Sequence, residues 1–301
     1  MSAPAPTRPV LRWHGGKWLL ARWIIAHFPP HRCYVEPYGG AWSVGLLKPL
    51  SHREVYNDKD DRLVGLFRML REPAQAAELI RRLELTPFAR TEFYRAYEPS
   101  DDPIEDARRW LTRSWMGHGS DGGLSPYRTG FRASSSRSDT TSVAREWAGY
   151  PAALALAVER LRAVVIENRD AHDVMAANDA ATTLHFVDPP YPLDTRSRTN
   201  RQPGGGTYAH ELTDDDHVAL LAFLKTLKGM VVLSGYPSAL YDQALAGWRR
   251  VERAALADGA RPRIEVLWLN PAAVARLGAG PLFRAGSPTP AQSGALGRIP
   301  V

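Results

Sequence analysis

Three features of this 301-residue chain predict an α/β layered fold with a largely parallel sheet. Short apolar runs alternate with amphipathic helical stretches, the pattern of repeated βαβ units. A glycine pair, Gly39-Gly40, stands between the first such run and the next helix, as in dinucleotide-binding folds. Acids stand just past several of the runs, at the strand ends where open α/β sheets bind ligands.

The elements follow in chain order. Cys33–Val35 and Glu54–Tyr56 are the first candidate strands, and Ala163–Glu167, Thr183–Val187, Gly229–Leu233 and Ile264–Leu269 the rest. Each is a short apolar run of the length a buried strand needs. Pro151–Val164 reads as an amphipathic helix. A second helix opens at Thr213, an N-cap followed by Asp214-Asp215-Asp216, whose charges suit the positive end of a helix dipole. Val218, Leu220, Leu221, Phe223, Leu224 and Leu227 supply its buried face, and Gly229 a C-terminal stop.

One spacing is anomalous. Far more chain lies between Tyr56 and Ala163 than the roughly 30 residues of a βαβ unit. An inserted, mostly helical domain is therefore expected over residues 73–150, within a main domain of residues 11–72 and 151–276. Residues 1–10 and 277–301 have linker composition and are expected to be disordered.

A net charge of +6 points to an anionic partner. The single cysteine, Cys33, excludes an internal disulfide and a multi-cysteine zinc site, fits a reducing cytoplasm, and leaves no metal expected. No apolar run approaches ~20 residues and the start lacks an apolar h-region, so neither a membrane span nor export is expected.

The chemistry concentrates in Asp188-Pro189-Pro190-Tyr191, directly after the strand Thr183–Val187. A carboxylate and a backbone carbonyl accept the hydrogens of an exocyclic amine. Prolines fix φ and hold the carbonyls in place. The tyrosine offers a face on which a flat base stacks. Upstream, Glu36-Pro37-Tyr38-Gly39-Gly40 follows the first strand and Asn57-Asp58 the second, where an acid takes ribose hydroxyls in nucleoside-binding folds. Asp170, after the third strand, is placed for the adenine edge of the same nucleoside. There is no Gly-x-Gly-x-x-Gly fingerprint and no Gly-Lys-Ser/Thr, which disfavours NAD and ATP.

Trp13-x-Gly15-Gly16-Lys17, Glu36-Pro37-Tyr38-x-Gly40, Asn57-Asp58 and Asp188-Pro189-Pro190-Tyr191, in that order, resemble the Dam-type DNA adenine methyltransferases. The resemblance spans about Leu11 to Asn270, and Tyr208-Ala209-His210-Glu211 and Leu233-Ser234-Gly235-Tyr236 look like its phage and prophage branch. It implies a Rossmann-like S-adenosylmethionine-dependent methyltransferase sheet with an inserted DNA-recognition domain, acting on double-stranded DNA, monomeric and cytoplasmic. By the same resemblance Trp13, Lys17, Glu36, Pro37, Tyr38, Gly40, Asp58, Asp170 and Asp188 hold S-adenosylmethionine. Lys17 then partners the methionine carboxylate and Trp13 packs against the cofactor. Trp42 departs from the pattern, standing where many relatives have Gly or Ala and crowding the cofactor turn.

Target chemistry follows: Asp188, Pro189, Pro190 and Tyr191 act on the N6 of an adenine flipped out of the duplex. From Arg108 to Arg137 six arginines meet one acid, interleaved with aromatics on a Gly/Ser-rich background. Arg109, Arg113, Trp115, His118, Tyr127, Arg128 and Arg132 are the expected DNA contacts, against the alternative of a solvated arginine-rich surface. Pro192–His210 reads either as a lid, hinged at Gly204-Gly205-Gly206 and carrying Arg196, Arg198 and Arg201, or as a loop with no catalytic part. Cytosine N4, an RNA adenine and a DNA-binding regulator without catalysis are the alternatives; Asp rather than Ser at position 188 favours adenine.

Overall fold

The computed structural model describes residues 5–119, 129–133, 142–195, 208–256 and 262–278. Its first half runs α1 (Ala21–Ile25), β1 (Cys33–Glu36), α2 (Ser43–Leu47), β2 (Arg53–Asn57) and α3 (Asp61–Arg71). Then come α4 (Pro73–Glu84), α5 (Arg90–Arg95), α6 (Pro103–Met116), α7 (Val143–Ala148) and α8 (Tyr150–Leu161). The second half is β3 (Val164–Glu167), α9 (Ala171–Ala177), β4 (Thr183–Val187), α10 (Asp214–Leu224), β5 (Met230–Gly235), α11 (Ala239–Ala244), β6 (Arg249–Leu256), β7 (Pro262–Leu269) and α12 (Pro271–Gly278).

The sheet order is β3-β2-β1-β4-β5-β7-β6. Strands β1 to β5 pair in parallel, whereas β7 pairs antiparallel with both β5 and β6. The fold is Rossmann-like, and the six expected strands are present. The seventh, β6, reads Arg-Arg-Val-Glu-Arg-Ala-Ala-Leu, too polar for an apolar-run criterion. It is an edge strand, where charged side chains discourage pairing with another chain.

Strand side chains alternate between two cores, as the pleat requires. Tyr34, Leu184, Phe186, Met230, Val232, Leu267 and Leu269 face α1 and α12. Val187, Val231, Leu233, Val266 and Trp268 face α9, α10 and α11. Helices α3 to α8 form a third cluster with Tyr56 and Val164. The segment 73–150 is thus helical among its described residues, but its core is continuous with α3, α8 and the sheet. A buried ionic group ties α8 and the end of α2 to the sheet: Lys48 Nζ lies 2.7 Å from Glu54 Oε1, and Arg160 Nη1 2.5 Å from Glu54 Oε2.

Two boundaries differ from expectation, and a third lies outside the described residues. Disorder was expected through residue 10, yet Val10 is buried and its carbonyl accepts from Tyr150 Oη at 2.5 Å. An apolar side chain beside an unfilled core outweighs a Pro/Ala-rich start. The expected helix Pro151–Val164 ends at Leu161, and Val164 opens β3. The tail expected from residue 277 lies outside the described residues beyond Gly278.

Helix α10 carries the expected cap, with Thr213 Oγ1 accepting from Asp216 N and the Asp216 side chain accepting from Thr213 N. Its phase differs. His217, Leu220, Leu221 and Leu224 point inward, and Val218 is 51% exposed. His217 is tolerated because Tyr241 Oη meets its Nδ1 at 2.9 Å. Gly229 does not stop the helix, which ends at Leu224. It leads into β5 under a close approach: a Cβ there would sit 2.9 Å from the Thr183 carbonyl oxygen and 3.0 Å from Asp179 Oδ1. Gly229→Ala should therefore destabilise the protein by about 1–3 kcal/mol in chemical denaturation.

Candidate active site

The strand order reverses between β1 and β4, and such a switch point opens a crevice at the carboxyl ends of the strands. The glycine turn after β1 and the tetrapeptide after β4 both border that crevice. They line one cavity of about 530 Å³, within the range of small-molecule sites. All the expected cofactor residues, Trp13, Lys17, Glu36, Pro37, Tyr38, Gly40, Asp58, Asp170 and Asp188, border the same cavity, as do Pro189, Pro190 and Tyr191.

The turn is built by its neighbours. Gly40 has φ +49°, and a Cβ would lie 3.1 Å from the Trp13 indole nitrogen. Its N–H donates to Asp58 Oδ2 at 2.8 Å, and its carbonyl accepts from Tyr56 Oη at 3.0 Å. Asp58 Oδ1 accepts from Asp60 N at 2.9 Å. Burial pushes the Asp58 carboxyl up against these stabilising bonds. Beside it, the buried Asn57 amide donates to the carbonyls of Pro37 at 2.9 Å and Arg169 at 3.1 Å, and accepts from Arg169 N at 2.9 Å. Asp170 caps α9 through His172 N and remains exposed toward Lys59, 3.8 Å away.

Trp42 shows how the chain accommodates its departure from the family pattern. It has φ +53°, a strained value for a bulky residue. The residue borders the cavity, but its indole is fully buried in the helical core, 6.1 Å edge-on to Tyr56, with the Arg160 guanidinium 5.0 Å over its ring. Gly45 leaves the room for it.

Electrostatics centre on Lys17. Its buried Nζ lies 3.0 Å from Asp188 Oδ2, 2.7 Å from the Gly15 carbonyl oxygen and 4.7 Å from the centre of the Tyr191 ring. Burial opposes the charge, but Asp188 and Glu265 outweigh it and hold the ammonium above its ordinary range. Tyr191 is buried, with its hydroxyl 3.2 Å from Asp188 Oδ1, 3.0 Å from Glu265 Oε2 and 3.0 Å from Ser234 Oγ. Tyr236 meets its ring edge-on at 4.6 Å. Tyr191 is therefore an anchored ring, with Lys17 over it, rather than an open stacking platform.

The expected DNA contacts divide. Trp115 is 5% exposed, packs 4.7 Å from Tyr150 and directs its indole N–H at the Val10 carbonyl, so it is a core residue and not a DNA contact. Its place on the inward face of the amphipathic α6 explains this. Arg109 bonds Glu105 and the carbonyls of Glu98 and Pro99. Arg113 bonds the Ala96 carbonyl, and Arg132 pairs with Glu146 at 2.8 Å. His118 is exposed, its N–H donating to the Gly130 carbonyl at 2.9 Å. Tyr127 and Arg128 lie outside the described residues, as do residues 196–207, which hold the arginines and glycine hinge of the expected lid.

Sequence reasoning missed two parts of the site. Asn57 was read only as the neighbour of an acid. Glu265 enters the sequence reading only as part of a strand, and Ser234 only as part of a family motif, neither with a role. A carboxylate in an otherwise apolar strand was the available signal, since a buried charge needs a partner.

Two outcomes follow. Trp115→Ala should cost about 3–5 kcal/mol of stability while leaving the salt dependence of DNA binding unchanged. For Glu36, which accepts from Tyr34 Oη at 2.7 Å, burial pushes the carboxyl up to about 8, with Asp188 adding to it. The folded protein then holds this proton more tightly than the unfolded chain. The stabilisation is full below the ordinary value of 4.5 and is lost as pH rises toward about 8. Glu36→Gln should flatten stability across that window in melts recorded at several pH values.

Among the described residues no helix is long and apolar enough to cross a membrane. Comparison with curated proteins found no match. Comparison with protein families matches residues 13–252 to the D12 class N6 adenine-specific DNA methyltransferases. That span takes in the glycine turn, the helical segment, Asp188-Pro189-Pro190-Tyr191 and β5. An enzyme of this kind transfers a methyl group to adenine in DNA, and the motif order, the switch-point cavity and the matched span agree that this chain belongs to the D12 class N6 adenine-specific DNA methyltransferase family.

Proposed function

We propose that the methyl donor is S-adenosylmethionine, held in the switch-point cavity, and that the target adenine reaches Asp188 after rotating out of the duplex. The observation that carries this reading is the shared cavity: the glycine turn after β1 and the acceptor tetrapeptide after β4 border the same space. The residues fit such a donor. Asp58 and Asp170 offer carboxylates on one side for a nucleoside, Gly40 brings backbone close, and the buried Lys17 supplies positive charge and Glu36 a buried carboxyl at the other end. Bound there, S-adenosylmethionine supplies a methyl already activated by its sulfonium. The protein adds alignment and electrostatics.

Asp188 and a carbonyl of the Pro189-Pro190 segment accept the amine hydrogens and make the nitrogen lone pair available. The amine proton leaves after methyl transfer, because an aryl amine is a poor acid. Base rotation costs a few kcal/mol, and hydrogen bonds at the strand end offset it. The segment 73–150, with His118 and the arginines Arg109, Arg113 and Arg132, is our candidate for DNA recognition. The arginines would exchange their present carbonyl and carboxylate partners for phosphates.

Single-molecule sequencing of DNA from a methylation-deficient host expressing this chain tests the reading. The expected result is N6-methyladenine at one short motif. Asp188→Ala should lower the single-turnover rate by about 10²–10³-fold, measured as tritium transfer to DNA. Parental activity in that variant would overturn the role given to Asp188.

A further inference from the structure

Methylating an exocyclic amine leaves a proton to be disposed of, and the site around Asp188 is closed on the side away from the cavity. Behind Asp188 a line of polar atoms continues inward. Tyr191 Oη is 3.2 Å from Asp188 Oδ1 and 3.0 Å from Glu265 Oε2, with Ser234 Oγ also 3.0 Å away. Glu265 is 7% exposed and Ser234 1% exposed, so the line is shielded from solvent. A hydroxyl between two carboxylates donates to one of them at a time. That is the arrangement in which a proton taken from one side is matched by a proton given to the other.

We propose that Tyr191 relays the proton lost by the methylated nitrogen from Asp188 to Glu265, which is its terminal acceptor inside the protein. The step balances. The C–N bond forms as the methyl–sulfur bond breaks, leaving the nitrogen cationic. Its N–H bond then breaks and an O–H bond forms on Asp188. Asp188 passes that proton to Tyr191 Oη as the original phenolic proton moves to Glu265 Oε2. Tyrosine and aspartate end as they began, and Glu265 is neutral. The inference rests on the reading that Asp188 accepts the hydrogens of the target amine.

The surroundings favour Glu265 as the final holder. The groups facing it are Lys17 from the N-terminal loop, Asp188 and Tyr191 after β4, and Tyr236 after β5, which in turn meets Arg263. Burial pushes its carboxyl up, and Asp188 adds to this while Lys17 opposes it. Lys17 meanwhile keeps its ammonium 3.0 Å from Asp188.

Glu265→Gln and Tyr191→Phe are the tests, the first keeping shape without a proton acceptor, the second keeping the ring without its hydroxyl. Each should lower the single-turnover methylation rate near neutral pH by about tenfold or more, with S-adenosylmethionine and DNA affinities within about twofold of the parent. In the parent the rate should fall in acid as Glu265 fills with its proton beforehand. That acidic limb should vanish in Glu265→Gln. Infrared difference spectra of one turnover should show a protonated carboxyl band that Glu265→Gln lacks. A parental rate and an unchanged acidic limb in Glu265→Gln would overturn the relay. Parental activity in Asp188→Ala would instead remove the reading beneath it, so the two failures are separable.

Discussion

The side-chain amide of Asn57 is the constraint on which the site depends. Its two hydrogens bind the carbonyls of Pro37 and Arg169, and its oxygen takes the Arg169 N–H. One buried group thereby joins the chain leaving β1, β2 and β3. A parallel sheet delivers its strand ends to one edge but does not dictate how the loops beyond them sit. Asn57 does, and Asn168 reinforces it through the Asp58 carbonyl at 3.0 Å. The glycine turn, Asp58 and Asp170 inherit their relative positions from these bonds.

Charge forms the second layer. The cavity edge carries Glu36 and Asp188, with Glu265 behind them, and the buried Lys17 lies beside Asp188. Like charges this close cannot all ionise without cost. The structure distributes the strain: Asp188 takes the direct ion pair, while burial pushes the carboxyls of Glu36 and Glu265 upward. Acids with different environments are thereby available for different tasks. The buried Lys48–Glu54–Arg160 group lies behind β1 and β2 and fastens α2 and α8 to the sheet.

Most of the architecture was legible because buried strands and glycine turns leave short-range marks. The tetrapeptide after β4 and the acids after β2 and β3 follow chain direction, which a reader can trace. What was not legible followed from chain reversal and from helix phase. Strand β7 runs antiparallel, so its beginning, not its end, reaches the active edge, and Glu265 precedes the apolar stretch instead of following it. β6 shows no apolar run because an edge strand keeps charged residues. Trp115 and Val218 were assigned to the wrong faces because aromatic-with-arginine composition and clustered apolar residues do not fix rotation about a helix axis. Only tertiary packing does that.

The left-handed backbone at Trp42 has a further meaning for ligand binding. An indole packed between Tyr56 and Arg160 grips the turn from the helical core, and Arg160 Nη2 also holds the Gly45 carbonyl at 2.7 Å. The segment we propose for donor contact is thus ordered by the protein's own core before any ligand arrives. Where a glycine-only turn would lose conformational freedom on binding, this one has lost it on folding, so little affinity is given up to ordering the loop. The tryptophan moves an entropic cost of recognition into the stability of the fold.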